Sequence, residues 1–144
     1  MAIPIQVAFD AADPDALSRF WAGVLGYIVQ PPPEGFDSWD AFLKDIGVPE
    51  SEWDKASAIV DPDGVAPRIY FQKVPEGKSA KNRVHLDVNC GGPRGTPLDE
   101  RKRNVAEHVA RAESLGARRL YERDQDGEYW ITLADPEGNE FCMQ

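Results

Sequence analysis

Two pairs of side chains in this sequence stand two residues apart and carry chemistry: His85 with Asp87, and Glu140 with Cys142. In an extended strand, residues two apart project from the same face. A neutral imidazole can take up and return a proton near neutral pH, and a nearby carboxylate can assist. His85 and Glu140 are therefore the acid/base candidates, with Asp87 on the face of His85. His85 reads equally well as a wall residue that hydrogen-bonds its neighbours. Arg68, Tyr70 and Gln72 alternate in the same way. The guanidinium of Arg68 is a candidate anion clamp, and a strand-edge salt bridge is its alternative fate. Gln6 adds an amide, and Trp130 an indole that could stack on a planar ligand or pack as floor. Cys142 reads as a small wall residue rather than a nucleophile, because no basic side chain is placed to ionise its thiol.

The elements that would hold these residues are legible from periodicity. Residues 3–10 alternate, with Ile3, Ile5, Val7 and Phe9 on one side and Gln6, Ala8 and Asp10 on the other, which predicts a half-buried strand. Asp13-Pro14 predicts a helix start. Leu17, Phe20, Trp21, Val24 and Leu25 give that helix one apolar face, and Gly26 its stop. After three prolines at 31–33, Trp39, Phe42, Leu43 and Ile46 predict a short amphipathic helix whose stripe serves core or dimer packing. Strands are predicted over Ala56–Val60 and Arg68–Lys73, separated by the turn Asp61-Pro62-Asp63-Gly64.

The order then repeats. Arg83–Cys90 alternates as a strand, with Val84, Leu86 and Val88 on its apolar side. A Gly/Pro-rich loop leads to a helix carrying Val105, Val109, Ala112 and Leu115, ended by Gly116. Two strands flank Gln125-Asp126-Gly127, and in Glu128–Ala134 Trp130 and Thr132 oppose Tyr129, Ile131 and Leu133. Asp135-Pro136-Glu137-Gly138 repeats the earlier turn, and the strand Asn139–Gln144 closes the chain with Phe141 and Met143 on its apolar face. Each half reads as a βαβββ unit, and the recurrence of ordered elements predicts an internal duplication.

Composition bounds the function. The 144 residues are 42% apolar with four Trp and six Phe, which suits an ordered core. A formal net charge of −9 repels phosphate backbones and anionic lipid surfaces, so neither nucleic acid nor membrane is expected as a partner. Met1-Ala2-Ile3-Pro4 carries no basic region followed by an apolar run, and the expected location is the cytoplasm. Cys90 and Cys142 are expected as free thiols.

Three segments carry a family resemblance: Phe20-Trp21-Ala22-Gly23-Val24-Leu25-Gly26, Lys81-Asn82-Arg83-Val84-His85-Leu86-Asp87-Val88, and Asp135-Pro136-Glu137-Gly138-Asn139-Glu140-Phe141-Cys142. With the duplicated pattern, they resemble the glyoxalase-like branch of the vicinal oxygen chelate superfamily, which includes glyoxalase I, fosfomycin-resistance proteins, bleomycin-binding proteins and extradiol dioxygenases. The resemblance implies an α+β fold in which two βαβββ modules with curled mixed sheets form a cup, helices packed outside. It implies a single glyoxalase-like domain over residues 1–144. Module one covers about 1–77, with an inserted helical segment about 33–54, and module two about 81–144.

In metal-dependent relatives, the first and last strands of each half supply one ligand apiece. Aligning the halves sets Gln6 opposite His85 and Tyr70 opposite Cys142. The family pattern accepts Gln6 and His85 but wants an acid where Tyr70 and Cys142 stand. A neutral amide, a phenol, an imidazole and a thiol suit hard divalent ions poorly, so no cofactor is expected. If a divalent ion were held, Gln6, His85 and Glu140 would be its ligands. The implied function is small-molecule binding with lyase- or isomerase-type chemistry, His85 and Glu140 catalytic, and Gln6, Arg68, Tyr70, Gln72, Asp87, Trp130 and Cys142 on the ligand. A non-catalytic protein that sequesters a drug or natural product is the alternative. A homodimer is the expected assembly.

Overall fold

The computed structural model describes residues 1–144. In chain order its elements are β1 (Val7–Ala11), α1 (Pro14–Leu25), β2 (Ile28–Val29), α2 (Trp39–Asp45), a 3₁₀ turn (Glu50–Lys55), β3 (Ala56–Val60), β4 (Ile69–Lys73), β5 (Leu86–Val88), α3 (Leu98–Ser114), β6 (Arg118–Gln125), β7 (Glu128–Ala134) and β8 (Glu140–Met143). They form two compact units. One holds residues 1–22 and 26–77, the other 23–25 and 78–144.

The two sheets have the same topology. The first runs β1-β4-β3-β2 and the second β5-β8-β7-β6. In each, the first strand of the half pairs parallel with the last, and every other neighbour is antiparallel. The expected duplication is therefore present strand for strand, and the α+β arrangement of two βαβββ modules is the observed fold. Each sheet is an open four-stranded mixed ladder whose end strands do not pair with one another.

In the first unit, Asp13 caps α1 by accepting from the Ala16 amide at 3.1 Å, and Gly26 ends it in the left-handed region at φ 73°. Leu17, Phe20 and Trp21 are buried as the periodicity predicts, and so is Val24, which is grouped with the other unit. Phe9 and Phe71 face each other across the β1–β4 ladder with ring centroids 5.2 Å apart, and Trp21 lies 5.2 Å from Phe9. Buried Ser18 of α1 donates to the Asp15 carbonyl at 2.9 Å, and its Oγ lies 2.8 Å from Ser57 Oγ on β3. These contacts fix Phe9, Ser57 and Phe71 on the helix side and so aim Ala8, Tyr70 and Gln72 away from it.

In the second unit, Val105, Val109 and Ala112 of α3 are fully buried, and Lys102 of α3 sits over the Tyr129 ring at 5.3 Å. Tyr129, Ile131 and Leu133 thus face the helix, and Trp130 projects the other way, as expected. Asp126 and Gly127 take φ 55° and 80° between paired Gln125 and Glu128. That is the doubly left-handed two-residue turn that fits strand twist, and it explains the Asp-Gly pair. The two Asp-Pro-acid-Gly turns close alike. Asp61 accepts from the amides of Asp63, Val65 and Ala66, and Asp135 from those of Glu137 and Asn139.

Several boundaries are corrected. The strand expected at 3–10 begins at Val7, leaving Ile3 88% and Ile5 76% exposed. Its partner β4 starts at Ile69, just after Pro67, which has no amide hydrogen to extend a ladder. The strand expected at 83–90 shrinks to Leu86–Val88, and Val84 is exposed because β8 pairs only from Phe141 onward. No residue of α2 is buried. Its stripe packs locally, Phe42 against Phe36 and Trp39 at centroid distances of 5.2 and 5.8 Å, so it is not core. Leu115 is also exposed, at the C-cap of α3 rather than on its buried face.

Phe141 is fully buried and Trp130 is half-buried on the opposite face. Phe141→Ala should lower stability by about 3–5 kcal/mol in urea unfolding. Trp130→Ala should cost no more than about 2 kcal/mol. The reverse order would mean the strand phasing is inverted.

Candidate functional site

Strand register sets the site. Val7 pairs with Ile69 in the first sheet, and Leu86 with Phe141 in the second. Superimposing those ladders makes Gln6 equivalent to His85, Ala8 to Asp87, Arg68 to Glu140 and Tyr70 to Cys142. The alignment of Gln6 with His85 and of Tyr70 with Cys142, expected from sequence, is the one the ladders give. Both Gln6 and His85 stand one residue before their strands rather than inside them.

In the second unit, Asp87 lies directly across the parallel ladder from Cys142, and His85 lies two residues before Asp87 on the same face. Nδ1 of His85 is 3.0 Å from Oδ1 of Asp87, and both side chains are about half exposed, at 48% and 44%. Cys142 Sγ lies 3.4 Å from Thr132 Oγ1 beneath them, and both residues are buried. Burial pushes the Cys142 thiol up, with Asp87 adding to the effect against the Thr132 hydrogen bond and Lys81. The thiol is thus protonated at neutral pH, as a wall residue rather than a nucleophile should be. Glu140 is held by the Lys81 ammonium, whose hydrogen bond keeps its carboxyl below the usual carboxylate range, with Lys78 and His85 acting in the same direction against desolvation. Asn82 Nδ2 donates to the Glu140 carbonyl at 3.3 Å. Sequence reasoning left Lys81, Asn82 and Thr132 out of the site, although Lys81-Asn82 immediately precede the strand expected at 83–90.

In the first unit, Arg68 Nη1 donates to Gln6 Oε1 at 2.8 Å and Nε to Gln30 Oε1 at 2.7 Å. Its guanidinium carbon lies 5.3 Å from the Tyr70 ring centroid. Gln30, in the connection after β2, was not singled out by its sequence pattern. Gln72 turns aside: its Nε2 donates to Asp10 Oδ1 at 2.7 Å. The structure therefore groups Gln6, Arg68 and Tyr70 in one unit and His85, Asp87, Glu140 and Cys142 in the other. Trp130 is on the open face of β7, where it pairs with Arg123 across the ladder.

These donors do not fit a divalent centre of the kind the resemblance implies. The Gln6 oxygen, the atom that would ligate, accepts from a guanidinium, and a fixed cation there opposes a second one. Tyr70 and Cys142 supply no carboxylate. His85, Asp87 and Cys142 do place one donor atom each within 4.8 Å of one another. That trio is nearer to zinc chemistry than to a hard ion's, but it would require an ionised thiol, which burial of Cys142 opposes.

Comparison with known proteins agrees with this fold. The model of the glyoxalase-like domain family matches residues 6–144, and the chain belongs to that family. A glyoxalase/bleomycin resistance protein/dioxygenase family enzyme from Burkholderia phytofirmans PsJN is similar at 18% identity and TM-score 0.60, over 96% of this chain and 94% of that one. A fosfomycin resistance protein, FosX, from Listeria monocytogenes, complexed with Mn(II) and 1S,2S-dihydroxypropylphosphonic acid, is similar at 12% identity and TM-score 0.63, over 100% and 90%. A possible glyoxalase from Bacillus cereus gives 14% identity and TM-score 0.61, over 99% of each chain. At these identities the likeness is one of fold. No curated protein matches. No helix is long and apolar enough to cross a membrane.

Lys81→Met should move the Glu140 titration, read by carboxyl carbon NMR, upward toward the ordinary range. With the folded pKa depressed, the pair's stabilisation is present at neutral pH. It fades as pH falls from the ordinary carboxylate pKa through the depressed one. An unmoved midpoint would show that Lys81 does not hold Glu140 in solution.

Proposed function

We propose that this protein binds a small metabolite on a polar sheet face and acts on it by proton transfer, as a lyase- or isomerase-type enzyme without the family's usual divalent metal. The observation that carries this reading is the His85–Asp87 contact. A carboxylate on Nδ1 fixes the ring and its tautomer, which leaves Nε2 to take a proton from a substrate carbon or oxygen and return it. Half exposure keeps that nitrogen within reach of a ligand. Glu140, held ionised by Lys81, supplies negative charge that favours the imidazolium formed midway.

The metal-free part of the reading rests on donor chemistry: Gln6 engaged by Arg68, a phenol at Tyr70, and a protonated thiol at Cys142. A second reading, a non-catalytic binder of a drug or natural product, is favoured by the half-buried Trp130 and Tyr70 rings on the faces away from the helices. Either way the partner is a small molecule. A homodimer belongs to the same proposal, supported by the exposed Trp39 and Ile46 of α2.

Native mass spectrometry of protein purified from its own host should identify a co-purified ligand. With that ligand, His85→Ala should lower turnover at least about 100-fold while binding changes little, and Asp87→Asn should lower it less. If His85→Ala weakens binding and there is no turnover to lose, the binder reading replaces the enzyme reading.

A further inference from the structure

Arg68 occupies in the first module the register position that Glu140 occupies in the second. The charge is inverted between them, and so is its compensation. Glu140 has an ammonium partner in Lys81. Arg68 has no carboxylate partner: its Nε and Nη1 donate to the neutral amide oxygens of Gln30 and Gln6. In a chain with 25 acidic and 16 basic residues that is unexpected. Arg19, Lys73, Lys81 and Lys102 all find carboxylates. The acid on Arg68's own sheet face, Asp10, is engaged by Gln72 instead.

The consequence is a guanidinium that is held but not neutralised. Two amide oxygens fix the plane of the fork, and the Tyr70 ring lies against it. A guanidinium has five N–H groups. Two are used here, which leaves three for an acceptor. Half burial strengthens their pull on an anion, because part of the competing water is removed. Pairing with glutamines rather than acids is what a binding site for an external anion requires, since an internal carboxylate would occupy the fork.

We propose that Arg68 is the docking point for an anionic oxygen group, a carboxylate or phosphate-type group, on the small molecule that this protein binds. Gln6 and Gln30 are positioning residues that aim the fork, and Tyr70 limits its rotation. The proposal rests on the small-molecule reading above and narrows it to an anionic metabolite. A planar carboxylate and a tetrahedral phosphate both present two oxygens to such a fork.

The test is an NMR titration of the ¹⁵N-labelled full chain with malonate and, separately, inorganic phosphate, at constant ionic strength with chloride as the reference. The Arg68 Nε–H and the Gln6 and Tyr70 backbone amides should shift saturably with one anion or both, and not with chloride. Saturation by malonate alone assigns a carboxylate, and by phosphate alone a phosphate-type group. Arg68→Gln should abolish the amide shifts. Arg68→Lys, which keeps the charge but loses the fork, should weaken them at least about 10-fold, and it decides the matter if Arg68→Gln does not fold. Shifts that never saturate, or that persist at wild-type affinity in both variants, would overturn the proposal. The titration reads no turnover, so it can fail while His85-dependent chemistry stands, and succeed where that chemistry is absent.

Discussion

Each half of this protein depends on one pairing: its first strand lies parallel to its last, in a fixed register. Parallel neighbours need a long crossover, and here the crossover contains the helix, the remaining strands and the Asp-Pro-acid-Gly turn. Because side chains alternate with period two, that register decides which residues share a face. It sets Phe9 against Phe71 beneath α1, and it sets Asp87 beside Cys142 on the far side of the second sheet. A slip of one residue would bury Asp87 and expose Phe141, at a cost of several kcal/mol.

On that shared scaffold the two modules carry opposite electrostatics. The second presents an imidazole with its carboxylate, a paired Glu140 and a protonated thiol. The first presents a guanidinium braced by amides and an aromatic ring. Arg68 stands where its twin has Glu140 and suits an anion, while the proton-transfer group belongs to the other unit. The chemistry proposed for each unit needs no more than that: Arg68 to hold a charged group in the first, and His85 to move a proton in the second.

Much of this was legible in the sequence. Alternation in β4, β7 and β8 fixed the faces of Tyr70, Trp130 and Phe141, and Asp-Gly and Asp-Pro-acid-Gly announced turns whose backbone requires those residues. Register equivalence of Gln6 with His85 followed from repeat logic alone. What was not legible has a common cause, namely partners distant in sequence. The strands at Ile3–Gln6 and Arg83–His85 alternate properly yet lack a ladder partner, so pattern without pairing overstated them. The stripe of α2 has helical spacing but no apolar surface to cover it within its unit. Gln30 and Lys81 sit in Pro-rich or polar connections with no periodicity, and only the fold shows that they brace Arg68 and Glu140.

Electron paramagnetic resonance of Mn(II) titrated into the full chain tests the proposed absence of the family's divalent metal most directly. The free-ion signal should grow in proportion to added metal, with no saturable bound fraction, and Arg68→Glu should increase binding. A stoichiometric loss of the free signal in the unaltered protein, reversed by His85→Ala, would contradict it and return the site to divalent-metal chemistry.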